Sequence, residues 1–315
     1  MAHSLTATQG RSVEAIVNLF ETGHVLGDYG QVTVLAGDTG HLTFGRSQTT
    51  LGSGNLHRLL QRYSDNAGAR FSTRLLPFLP QVAARDPVLD GDARLHNLLR
   101  ATADDPVMRD VQDHFFDEVY FRPAMKTAER WGLGLPLGMA VVYDSFVHGS
   151  WTRIRDRVQG TPASRGEKAW VAGYVAARRN WLATHSRSDL RATVYRMDAF
   201  LRLIELDAWG LELPLVVRGA EISQATLSGT PPGAYEGPAP GTRDLMLPPA
   251  ASPLLRGLDV RLVQLALSER GAAIRADGVF GRVSAERVAD HQRSVGAPVT
   301  GVVDRALARA LAQQL

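Results

Sequence analysis

Apolar residues recur at helical spacing through most of the N-terminal two thirds of the chain. Val13, Ile16, Val17 and Phe20 fall on one helical face, with Ser12 as a candidate N-cap and Gly23 as a stop. The period then changes. Gln31-Val32-Thr33-Val34-Leu35 alternates, Ala36-Gly37-Asp38-Thr39-Gly40 is rich in turn formers, and His41-Leu42-Thr43-Phe44-Gly45 alternates again. That pattern predicts a β-hairpin. Helical spacing returns over 54–64, 92–102, 107–131, 135–148, 165–184 and 188–209. One helix, one small hairpin and a helical body predict an α+β domain, mostly helical, over residues 1–217.

Between 218 and 253 the periodicity stops. Gly219 to Pro253 holds seven prolines among Gly, Ser and Thr, the composition of an extended, semi-rigid tether. Its Leu245-Met246-Leu247 patch is apolar enough to dock on a neighbouring surface. Residues 254–315 then carry three short helical stretches, around Val260–Leu267, Val283–Gln292 and Arg305–Leu311. Two similar turns separate them, Asp277–Gly281 and Thr300–Asp304. A chain of 315 residues exceeds what one core usually serves, so two domains on a linker are expected.

Composition narrows the classes. With 44% hydrophobic and 21% charged residues the chain reads as globular. No apolar run approaches the roughly 20 residues that span a bilayer, so no membrane insertion is expected. The opening residues lack the basic-then-apolar pattern of a secretory leader. Cysteine is absent, which excludes disulfides, thiolate nucleophiles and Cys-based metal sites. The net charge is +3, and Ser252 to Leu315 alone holds nine arginines against six acids. The basic excess therefore lies in the C-terminal segment and suits an anionic partner. No Gly-rich phosphate loop or nucleophile elbow appears, and no nucleic-acid partner is expected.

Glycoside hydrolysis needs a protonated carboxyl on one side of the scissile bond and a carboxylate on the other. Glu21 follows Phe20 at the end of the first apolar helix face. A helix C-terminus and an apolar surround would both disfavour its ionised form. Asp38 sits at the hairpin tip, and Thr43, in the returning strand, offers a hydroxyl for a water. Singly, each is a common helix-end or turn residue. Their order along the chain is the informative feature.

Glu21-Thr22-Gly23 and Gly37-Asp38-Thr39-Gly40-His41-Leu42-Thr43-Phe44-Gly45 together resemble the catalytic region of family 46 glycoside hydrolases, the chitosanases of the lysozyme-like superfamily. Asn55–Asp65 looks like that family's cleft-lining helix. Asp117–Pro123 and Tyr143–Gly149 look like its central helices, and Ala176–Arg179 with Arg196 like its later arginine-bearing helices. The likeness implies an inverting, endo-acting hydrolase of a β-1,4-linked amino-sugar polymer. It assigns Glu21 as general acid, Asp38 as general base and Thr43 as the residue seating water. Asp144, Arg178 and Arg196 would form a buried ionic network behind the acid. Two departures bear on substrate. Asn55 stands where the family has an acidic subsite residue, and Gly40-His41 replaces a basic one. Both point away from a cationic polymer, and Asn, which both donates and accepts, suits N-acetyl or hydroxyl groups.

Residues 258–315 closely resemble the peptidoglycan-binding type 1 domain. The likeness rests on Asp259-Val260-Arg261 with Gln264, Asp277-Gly278-Val279-Phe280-Gly281, His291-Gln292 and Thr300-Gly301-Val302-Val303-Asp304. Such a module, tethered, would raise the local substrate concentration. Peptidoglycan is therefore the first expected substrate, as for a muramidase. A chitosanase using the module as an anchor is the alternative, and a non-catalytic wall-binding protein the third reading. With no leader in view, a chain made in the cytoplasm would act in the periplasm or at the cell wall after delivery. An antibacterial effector would imply an immunity protein as partner. His41 and Tyr29 join Asn55 as candidate substrate-binding residues; Tyr29, Phe44, Tyr143, Trp151 and Trp181 are aromatics able to stack on sugars, though most of them are expected in the core. His24 and His41 flank the carboxylates, but no third ligand accompanies them. No metal and no cofactor are expected.

Overall fold

The structure, a computed structural model, describes residues 5–46 and 48–312; Met1 to Ser4, on which the expected lack of a leader partly rests, lie outside them. The chain forms two compact units, one of residues 1–27 and 115–229, the other of 28–114 and 230–315.

The first unit is helical. Helix α1, Ala7–Glu21, starts earlier than Ser12 suggested, because Thr6 and Gln9 form a capping box. Ser12 lies inside the helix, buried, and its hydroxyl donates back to the Thr8 carbonyl. Gly23, at φ 76°, bonds its N–H to the Leu19 carbonyl and stops the helix as expected. The apolar face of α1 packs on a central helix, Pro136–Val147, which also meets Arg122–Arg130 and Glu167–Ala183. That helix is buried from Pro136 to Ser145, which is why its sequence is apolar on every side. Burying one of its large apolar side chains stabilises by about 1.5–3 kcal/mol. The expected tether begins here as packed structure. Leu215–Val217 pairs antiparallel with Ala220–Ile222, and Ile222 and Leu227 join the same core.

The second unit starts with a small antiparallel sheet: β1, Val32–Thr33; β2, Thr43–Phe44; β3, Thr49–Thr50, with β2 in the middle. The expected hairpin is present but short. Its third strand was not anticipated, since two threonines carry no readable alternation. Strands of this length cannot fix their own register. A buried side chain does it instead: the Gln112 amide donates to the Tyr29 carbonyl and accepts from the Arg46 N–H, both at 3.0 Å. Gly45 makes room for it, since a Cβ there would lie 2.2 Å from Gln112 Oε1.

The same unit contains the three C-terminal helices, Leu258–Glu269, Arg282–Ser294 and Arg305–Ala312. The first is buried from Asp259 to Ser268, between its own core (Val263, Phe280, Val288) and the helix Ala93–Thr102. Asn97, 1% exposed, joins the two. Its amide donates to Ser268 Oγ (2.9 Å) and the Ile274 carbonyl (2.7 Å), and accepts from the Ala276 N–H (2.9 Å). The proline-rich stretch 230–253 is held along this surface rather than free. Gly233 O accepts from Arg261 (2.6 Å), Tyr235 N donates to Asp104 (2.7 Å), and Arg243 pairs with Asp259 (2.8 Å). Of the apolar patch, Leu245 alone docks, exchanging backbone bonds with Val303 while Met246 and Leu247 stay exposed.

Candidate active site

The expected site residues fall into two groups, one in each unit. In the helical unit Glu21 is the last residue of α1. The Tyr195 hydroxyl donates to the Phe20 carbonyl at 2.8 Å and ties that helix end to Tyr195–Glu205. From there Arg196 donates to Glu21 Oε1 (2.7 Å) and to Asp144 Oδ1 (2.8 Å). Asp144, on the central helix, is wholly buried, and its other oxygen accepts from Arg178. Arg178, also without exposure, donates to Ser150 Oγ and to His148 Nδ1, each at 3.1 Å. Glu21, Arg196, Asp144, Arg178 and His148 thus form one unbroken chain of contacts.

The charges along that chain are set by pairing. Burial alone would push the Asp144 carboxyl up, but Arg178 and Arg196 outweigh it and hold it below the usual range. Burial, with Arg196 and Arg178 alongside, pushes His148 down to about 4. His148 is therefore a neutral imidazole accepting through Nδ1. The apolar surround expected for Glu21 is absent: its side chain is 42% exposed and faces a guanidinium. The network residues Asp144, Arg178 and Arg196 do come together. His148 was missed, though its place one helical turn after Asp144 is the local signal that could have found it.

In the other unit Asp38 lies exposed on the loop between β1 and β2, its Oδ1 accepting from the Gly40 N–H at 3.1 Å. Thr43 opens β2, and its hydroxyl donates to the His41 carbonyl at 3.1 Å. His41 takes φ 57°, a left-handed conformation uncommon outside glycine. Its ring pairs with Asp90 at 2.8 Å. Asn55 opens the helix Asn55–Ser64 and accepts from Arg58 at 3.3 Å, so a cation rather than an anion stands beside it. Tyr29 needs correcting as a stacking residue. It is 7% exposed, its hydroxyl donates to Asp113 at 2.6 Å, and Arg46, itself paired with Asp113, lies 5.7 Å from its ring. Phe44, Tyr143 and Trp151 are likewise buried, while Trp181 is half-buried beneath Arg153, 6.0 Å from its ring. His24 is exposed, and among the described residues no group of three His, Asp or Glu is placed to hold a metal ion.

A carboxyl gripped by a buried arginine, and a second carboxylate sharing a loop with a poised hydroxyl, are the groups that cleavage of a glycosidic bond uses. The chain is a glycoside hydrolase. The model of glycosyl hydrolase family 46 matches residues 15–215, and the chain belongs to that family. Residues 256–311 match the peptidoglycan-binding type 1 domain. A chitosanase of Bacillus subtilis (strain 168) is 28% identical over 239 residues, 70% of this chain and 85% of that protein. Among solved structures, the native chitosanase of Bacillus subtilis MY002 superposes with a TM-score of 0.56 at 26% identity, over 68% of this chain and 96% of that one. The chitosanase GsCsn46A of Gynuella sunshinyii, solved with chitotetraose, gives 0.56 at 27% identity, over 70% and 99%. Family membership sets aside the non-catalytic reading.

Proposed function

We propose that the chain is an endo-acting, inverting hydrolase of a β-1,4-linked glucosamine polymer. Glu21 is its general acid, Asp38 its general base, and Thr43 the seat of the attacking water. The observation that carries this reading is the contact chain behind Glu21. A glutamate at a helix end needs only solvent, yet this one meets a buried arginine pinned to a wholly buried aspartate. Burying such charges is costly and fixes geometry. In the reaction, protonated Glu21 gives its proton to the glycosidic oxygen as the bond to C1 breaks. Asp38 takes a proton from a water attacking C1 from the opposite face, and Thr43 accepts a hydrogen bond from that water. The product is a shorter chain with an inverted reducing end.

Chitosan is favoured as the polymer by the named activity of the similar proteins. This reverses the order first expected from the sequence, which put peptidoglycan ahead. The peptidoglycan reading keeps two supports of its own: the match at 256–311 and the Asn55–Arg58 contact, which sets a cation where an ammonium-bearing sugar would meet repulsion. Digestion of chitosan and of purified sacculi, with reducing ends and muropeptides quantified, separates them. Reducing ends from chitosan alone are expected; muropeptides without chitosan products would overturn that choice. An immunity partner belongs to the peptidoglycan reading only.

A further inference from the structure

The loop carrying Asp38 is held by a carboxylate that neither the motifs nor the family likeness singled out. Asp90 lies in the short 3₁₀ helix Pro87–Gly91. Its Oδ1 accepts from the Leu42 N–H at 2.7 Å, and its Oδ2 meets His41 Nδ1 at 2.8 Å. One side chain thus holds two consecutive residues at the returning end of the loop. The element that bears it is itself fixed. Asp86 caps its start through the Val88 N–H, Leu89 is buried, and the Leu89 carbonyl contacts His96 Nε2 at 3.0 Å.

We propose that Asp90 is a positioning residue that sets Asp38 and Thr43 by gripping His41 and Leu42. The inference rests on the assignment of Asp38 and Thr43 to the chemistry. His41 connects the two. Its N–H donates to the Asp38 carbonyl at 3.3 Å, and its own carbonyl receives the Thr43 hydroxyl. That last bond uses the hydroxyl proton and leaves the Thr43 oxygen free to accept from water. His41 does this from a left-handed backbone, which is uncommon for any residue other than glycine. The sheet holds the residues on either side of it, since the Gly40 and Leu42 carbonyls accept from the Gly52 (3.0 Å) and Leu51 (2.8 Å) N–H groups, while the His41 ring and the Leu42 N–H go to Asp90. Without the Asp90 grip the His41 backbone would relax, carrying the Thr43 oxygen and the Asp38 carboxylate off the line of attack. The loss should then appear in the chemical step, because the groups displaced, Asp38 and Thr43, are those assigned to the attacking water.

The test uses the full chain on whichever of chitosan or purified sacculi it cleaves faster. Asp90→Ala, Asp90→Asn and Asp38→Asn are compared for kcat, KM and thermal midpoint. Asn keeps an oxygen for the Leu42 N–H and an amide for His41, so it serves as the conservative rescue and as the second variant if Ala fails to fold. The expected result is a fall in kcat of ~10²-fold for Asp90→Ala, with KM little changed and Asp90→Asn recovering most of the rate. Wild-type kcat in Asp90→Ala, or Asp90→Asn as impaired as Asp90→Ala, would overturn the positioning role. If Asp38→Asn is inactive while Asp90→Ala is not, only the Asp90 inference fails. If Asp38→Asn keeps full activity, the catalytic assignment fails and the positioning role with it.

Discussion

Asp144 and Asp104 are both buried aspartates facing arginine, one in each unit, yet burial governs only one of them. Asp144 has both oxygens served by guanidinium groups, and its carboxyl is held low. Asp104, 3% exposed, has one oxygen served, by the Tyr235 N–H (2.7 Å) and Arg261 (3.0 Å), while Oδ2 is buried without a partner. Burial there outweighs Arg261 and pushes the carboxyl up to about 6. The number of partners, rather than depth, decides whether a buried charge is held. The two clusters also have different tasks. The saturated one stands behind Glu21; the half-served one fastens the C-terminal module to the helix Ala93–Thr102.

Breaking the saturated cluster should have the largest effect on stability. Asp144→Ala leaves Arg178 buried without its counterion and Arg196 with Glu21 alone, and should cost about 3–5 kcal/mol, read from urea unfolding monitored by circular dichroism. A loss under about 1 kcal/mol would mean the cluster is wetter than its geometry implies. Next comes the fastening of the module. Asn97→Ala strands the Ile274 carbonyl and the Ala276 N–H and should cost about 1–3 kcal/mol. Differential scanning calorimetry would then split one transition into two, or lower the one that contains the module.

The smallest effect concerns pH, where the two clusters should pull in opposite directions. His148, at about 4 against an ordinary 6.5, binds fewer protons when folded. Its contribution is present above about 6.5 and lost as pH falls through about 4. Asp104, at about 6 against 3.8, binds more protons when folded. Its contribution is present below 3.8 and lost as pH rises through about 6. Asp104→Asn should therefore gain on the wild type as pH rises from 4 to 7, while His148→Gln should gain as pH falls over the same range. Chemical denaturation at several pH values reads both slopes; parallel slopes for all three proteins would contradict the assignment.

What the sequence made legible follows from distance along the chain. The end of α1, the helical body and the three C-terminal helices come from local periodicity and stop signals, and these were readable. Glu21 stood out by its place at the end of α1, whereas Asp144, Arg178 and Arg196 were reached through the likeness to family 46, because partners so far apart in sequence share no local pattern. Asp90 was unreadable for the same reason. Placed between the caps Asp86 and Asp92, it looks like one more turn former. The proline-rich stretch misled differently. Its composition does exclude regular structure over 230–253, but composition cannot show that Asp104, Arg261 and Val303 stand ready to receive it.

The rate of polymer cleavage by Glu21→Gln beside the wild type bears most directly on the catalytic assignment. Gln keeps an oxygen for Arg196 but has no proton to give, so kcat should fall by roughly 10²–10⁴-fold with the unfolding midpoint little changed. Cleavage within a few-fold of the wild type would contradict the role given to Glu21.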